Sequence, residues 1–203
     1  MVINANIRTK EEILNALIEV FDRTSQYCLD QDDDLFEKPI RAGKWSTAQN
    51  IDHLSSSTFP IAKAMAMPKL AMKMTFGTNN RDEKSIDELF EKYKKGLASG
   101  IKAPAQFEPP LISNDQKKET LSKFIYAKEK LIKVSEKWNE KSLSKYIIPH
   151  PAIGKLTIRE MLFFTIFHTE HHLNTIKKCD FRIVLRKVYR FTIGIPFLYL
   201  RKL

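Results

Sequence analysis

Apolar residues along this chain recur at helical spacing. Leu14, Leu17, Ile18 and Phe21 stand at i, i+3, i+4 and i+7, which puts them on one stripe of a helix. Thr9-Lys10-Glu11-Glu12 precedes them as a capping box, the Thr hydroxyl accepting from a first-turn amide while Glu12 reaches back to the cap. This predicts a first long helix over about 9–29. Ser46-Thr47-Ala48-Gln49 opens a second, with Ala48, Ile51, Leu54, Ser55, Thr58 and Met65 on one side; Pro60 lies inside the run and should kink the helix or end its first segment. Between Thr75 and Asp115 the pattern changes. One short amphipathic helix (Ile86, Leu89, Phe90, Tyr93) stands between Gly77-Thr78-Asn79-Asn80 and the proline-bearing Gly96–Asn114, as in a long crossover or lid. A third long helix opens at Ser113-Asn114-Asp115-Gln116 and runs to about Asn139. Ile147–Gly154 reads as a turn-rich connection, and Thr157-Ile158-Arg159-Glu160 caps a fourth long helix from Ile158 to about Lys178. No strand alternation of useful length and no internal repeat appear. The expected fold is all-α: an antiparallel four-helix bundle with a long crossover between helices two and three.

Composition narrows the setting. The 203 residues suffice for one sizeable core. No apolar run reaches the ~20 residues that span a bilayer. Met1-Val2-Ile3-Asn4-Ala5-Asn6 has no signal-peptide character. Cys28 and Cys179 make no disulfide framework, and each reads as a structural thiol, so the expected location is the cytoplasm. The net charge of +10 is unevenly placed: residues 179–203 carry six basic side chains against Asp180, half of the total. Elsewhere lysines alternate with glutamates as on a solvated surface, and no nucleic-acid-binding signature appears, so no nucleic-acid partner is expected. Asp30–Asp34 lacks the glycine and terminal glutamate of a calcium loop and reads as solvated. We divide the chain into a bundle domain, 1–178, and a basic extension, 179–203. In the extension Arg182, Arg186 and Arg190 recur opposite Phe181, Val184, Leu185 and Val188. An added helix packed on the bundle is the preferred reading, and contact with an anionic membrane surface the alternative.

The concentrated chemistry is His168-Thr169-Glu170-His171-His172, which holds three of the five histidines. Residues four apart share a helix face, so His168 and His172 can bind one ion. At about 100° per residue His172 lies about 40° from His168, together with Met161 and Phe164, whereas Glu170 falls near 200° and is expected to point outward. His171 sits at the boundary. Two inward imidazoles need partners, and ordinary hydrogen-bonded core histidines would satisfy that. A metal site needs a third ligand, for which His53 and His150 are the candidates. His150, between Pro149 and Pro151, is most simply an exposed turn residue. His53 shares its helix side with Gln49, Asn50, Ser56 and Ser57, which suits a solvent-reachable, polar-lined cavity more than deep burial.

Three separated stretches carry a resemblance. Thr9-Lys10-Glu11-Glu12-Ile13-Leu14, then Gly43-Lys44-Trp45-Ser46-Thr47-Ala48-Gln49-Asn50-Ile51-Asp52-His53-Leu54, then His150–Glu160 followed by the His-x-x-x-His pair agree in order and spacing with the DinB/YfiT-like superfamily, which the chain resembles over about 9–178. The resemblance implies a bundle whose metal ligands are His53, His168 and His172, with His171 on a variable position. It further implies a divalent transition ion (zinc, nickel or iron), a small-molecule substrate, a homodimer and chemistry involving a low-molecular-weight thiol. Thiol S-transfer is the preferred activity, with Gln49 or Ser57 behind the ligands. Metal-dependent hydrolysis, or a non-catalytic bundle binding a ligand or protein partner, is the alternative. The length of the crossover and the basic extension depart from the family pattern.

Overall fold

The computed structural model describes residues 7–39, 43–100 and 103–192, with side chains as far as 178. Four long helices form the frame: α1 (Lys10–Leu29), α3 (Thr47–Met65), α6 (Lys117–Ser135) and α8 (Ile158–Thr192). Between them lie the short α2 (Asp33–Glu37), α4 (Lys69–Phe76), α5 (Ile86–Ala98) and α7 (Glu140–Lys145). The capping boxes form as the sequence predicts. Glu12 and Thr9 exchange bonds of 3.2 and 2.8 Å at α1, and Gln49 and Ser46 exchange bonds of 3.1 and 3.0 Å at α3.

Around the bundle the order is α1, α6, α3, α8, so α1 stands diagonally from α3 and α6 from α8. Facing apolar stripes fill the centre: Ile13, Leu17, Phe21, Ile51, Leu54, Phe124 and Leu131 are each almost wholly buried, and Phe21 stacks on Phe124 with ring centroids 4.8 Å apart. No helix among the described residues is long and apolar enough to cross a membrane.

Several expectations are corrected. Helix α3 does not end at Pro60 but continues to Met65. The proline is exposed, so the missing amide bond faces water, and Ile61, Ala62 and Met65 beyond it are buried and hold the last turns in place. The third long helix begins at Lys117, after a 3₁₀ turn over Asn114–Gln116, and ends at Ser135. The stretch read as turns contains a hairpin, β1 (Ile147–His150) with β2 (Gly154–Thr157), antiparallel and in register from Ile147↔Thr157 to His150↔Gly154. Gly154, at φ 83°, takes a conformation that a side chain would disfavour. Helix α8 does not stop near Lys178: its backbone continues to Thr192. No glycine or proline lies between 178 and 192 to break it. The reading of the extension as a membrane-contacting or packed basic surface concerns side chains outside the described residues.

The crossover is folded onto the frame. Helix α5 packs on α8 through Phe90 on Phe167 and Tyr93 edge-on to Phe164, with centroids 5.3 and 5.2 Å apart. A 3₁₀ turn, Ala105–Phe107, then lies against α3. Before α5, Arg81 donates to both carboxylate oxygens of the fully buried Glu160 (2.7 and 2.6 Å), and the Lys84 amide donates at 2.6 Å. Thus the crossover covers the α3–α8 face that carries the histidines.

Candidate metal centre

His53, His168 and His172 come together between α3 and α8, 6%, 9% and 8% exposed. Their Nε2 atoms face one another: His168 Nε2 lies 3.1 Å from that of His53 and 3.1 Å from that of His172. His53 is therefore buried, contrary to the expectation from its polar neighbours on α3. The crossover covers that side of the helix, a tertiary contact that the local pattern does not contain.

The outward nitrogens decide what the inward ones offer. His53 Nδ1 lies 2.8 Å from the Phe107 carbonyl oxygen, to which only an N–H can bond, so its Nε2 carries a lone pair. His172 Nδ1 lies 2.6 Å from Asn50 Oδ1. The Asn50 amide is oriented by its own NH₂, which donates to the Ser46 carbonyl at 2.7 Å. His172 therefore also donates from Nδ1 and presents an Nε2 lone pair. A proton on His168 Nε2 could satisfy one of these two neighbours, not both. Burial disfavours the imidazolium form of all three rings. For His168 and His172 the adjacent histidines disfavour it further, while at His53 the Phe107 carbonyl and Asp52 oppose the effect in part. Three neutral rings with converging donors are the arrangement that a divalent ion completes. His53, His168 and His172 would hold such an ion through their Nε2 atoms, two pairs of which already stand 3.1 Å apart.

Aromatic rings wall the cluster. Trp45, just before the α3 cap, lies 4.8 Å from the His53 ring and 6.2 Å from that of His172, centroid to centroid. Phe164, one turn before His168, stacks on it at 5.2 Å. Tyr93 meets His168 and His171 edge-on at 6.3 and 5.9 Å, and burial raises its phenol pKa so that it stays protonated.

The profile of the DinB superfamily matches residues 16–176. The chain belongs to the DinB superfamily. YuaE, an uncharacterized protein of Bacillus subtilis (strain 168), is 27% identical over 154 residues, or 75% of this chain and 86% of YuaE. Among solved folds, YfiT from Bacillus subtilis superposes with a TM-score of 0.58 at 18% identity, over 90% of this DinB chain and 93% of YfiT. YfiT is described as a probable metal-dependent hydrolase with an unusual four-helix bundle topology. TT2238, a four-helix bundle protein, superposes with a TM-score of 0.53 at 15% identity, over 84% and 99% of the two chains. These two likenesses establish the DinB fold as a four-helix bundle.

The remaining candidates fall elsewhere. His171 is half-buried beside His172 but outside the cluster. His150 is not the exposed turn residue expected. Its Nδ1 accepts from the Ala152 and Ile153 amides at 3.1 and 3.2 Å, its ring lies 4.2 Å from Phe164, and burial lowers its pKa to about 4. It fastens the hairpin turn. Glu170 points away from the histidines as predicted, yet it is buried, because α1 lies on that side and supplies Arg23. The residues proposed to stand behind the ligands are corrected too. Gln49 donates to the Pro109 carbonyl at 3.4 Å and Ser57 to the His53 carbonyl at 2.8 Å, and neither has a bond to an imidazole. Asn50 and the Phe107 carbonyl hold the rings instead. Asn50 was visible as a polar residue one helical turn from Ser46 and near His53. A backbone carbonyl 54 positions from its imidazole has no sequence signal.

Proposed function

We propose that this protein is a divalent-metal-dependent enzyme whose ion is held by His53, His168 and His172, with hydrolysis as its first reaction. One observation carries the reading: two of three converging Nε2 atoms have their lone pairs fixed inward by hydrogen bonds on the opposite side of the ring. Zinc, nickel or iron suits three neutral imidazoles. Bound there, such an ion supplies Lewis acidity, polarising a substrate oxygen and lowering the pKa of a water or thiol that shares it. The protein's part is positional. Helix α3 and the His-x-x-x-His turn of α8 present the donors, and Trp45, Phe164 and Tyr93 limit the water around them. The description of YfiT as a probable metal-dependent hydrolase supports the choice of reaction.

Thiol transfer is the second reading. Among the described residues no carboxylate joins the three histidines, and an ion held by them would lower the pKa of a thiol. A small-molecule substrate, a low-molecular-weight thiol as co-substrate and a homodimer accompany this reading.

Metal analysis of protein prepared without chelator tests the site. We expect about one equivalent per chain in the wild type and a loss of 10-fold or more in affinity in each of His53→Ala, His168→Ala and His172→Ala. Unchanged metal content in all three variants would overturn the proposal. Activated esters and thiol-plus-electrophile pairs, offered to the metal-loaded protein, separate hydrolysis from thiol transfer.

A further inference from the structure

Both groups that orient the ligand rings are uncharged oxygens: the Asn50 side-chain amide behind His172 and the Phe107 carbonyl behind His53. Metal-binding imidazoles donate to a carboxylate, a backbone carbonyl or water, and of these only a carboxylate would bring a negative charge to within one ring of the ion. Nearby carboxylates exist here but are occupied. Asp52, beside His53, pairs with Lys123 at 2.7 Å, and Glu170, between the two α8 ligands, pairs with Arg23. Each has its own cation, which offsets its charge in part, and neither accepts a bond from a ligand ring. The three ligands are neutral, and Trp45, Phe164 and Tyr93 around them add none. A divalent ion in this buried setting keeps its full charge of two, at a cost that rises as water is excluded.

We infer that Asn50 is the positioning residue for His172 and, by being an amide rather than an acid, leaves the centre cationic so that it selects an anionic substrate group. This deepens the metal-enzyme reading and rests on it. The amide is suited to both parts. Asn50 is 3% exposed, its NH₂ is held by the Ser46 carbonyl, and that carbonyl belongs to the N-cap of the same helix. The oxygen cannot swing away from His172 without breaking the cap-side bond. The favoured substrate class is a small molecule that would bring an anionic group, such as a carboxylate, to the ion held by the three histidines. Neutral esters and amides would bind less well.

Two variants of the full chain separate the positioning role from the charge. Asn50→Ala removes the acceptor, and Asn50→Asp keeps an acceptor and adds a negative charge while giving up the NH₂ bond to the Ser46 carbonyl. Cobalt(II) is the probe: its affinity is measured by titration, and azide binding to the cobalt-loaded protein is followed in the visible spectrum. Circular dichroism and thermal melting report folding. We expect Asn50→Ala to weaken cobalt binding 10- to 100-fold. Asn50→Asp should hold cobalt better than Asn50→Ala and, once loaded, bind azide about 10-fold more weakly than the wild type. Azide binding to cobalt-loaded Asn50→Asp as tight as to the wild type would overturn the charge argument, and undiminished cobalt affinity in Asn50→Ala would overturn the positioning role. If Asn50→Ala does not fold, Asn50→Asp decides alone, since azide binding in it as tight as in the wild type contradicts the inference. Failure of the wild type itself to bind cobalt would refute the metal reading beneath both.

Discussion

Glu160 caps α8 by exchanging bonds with Thr157, as its spacing predicts, and also receives two bonds from Arg81 and one from the Lys84 amide. Burial alone would raise its carboxyl pKa. Arg81 and the two amides, with Lys84, outweigh that and hold it below the ordinary value. The unfolded chain therefore binds a proton more readily in acid, and stability from this group is full above about pH 5 and falls as pH drops through the lowered folded value. Chemical denaturation of the wild type and Glu160→Gln should show a difference that is constant at neutral pH and shrinks in acid. Arg81→Ala should cost about 3 kcal/mol, because it leaves a buried carboxylate with only the more distant Lys84 ammonium as a cation. Other residues show where helical phase misleads. Glu170 lies on the side predicted, but away from the histidines means towards α1, not towards water. His150 was read from its flanking prolines, which mark a turn but not what packs over it.

At the level of elements, sequence signals served best where they were local. The capping boxes at Thr9, Ser46 and Thr157 each mark a helix start because cap and partner lie three residues apart. The hairpin was hidden because each strand has only four residues, one of them Pro149, too few to display alternation. The crossover was legible as a long insertion but not as part of the site, since its contribution is a main-chain oxygen. Replacing residues 103–110 with a glycine-serine linker should therefore weaken zinc binding about 10-fold or more while leaving the bundle folded. Calorimetric zinc titration and circular dichroism would check both halves, and zinc affinity equal to the wild type would remove the crossover from the site.

For the whole molecule, the ring order α1, α6, α3, α8 makes α3 and α8 neighbours although the chain passes through the crossover, α6 and the hairpin between them. Two histidines 115 positions apart could be matched by motif, but their closeness depends on that order. Zinc at a hundred times its dissociation constant should add about 2.7 kcal/mol and raise the melting temperature by about 5–10 °C, reversibly with chelator. Rates should show how. The donors on α3 and α8 lie 115 positions apart, and a contact of such separation is expected to form late in folding, so an ion between them would act as a removable staple across a long loop. Stopped-flow measurements should find unfolding slowed up to about 100-fold by zinc and refolding almost unaffected. The three rings that would serve chemistry would then also set how long each folded molecule lasts.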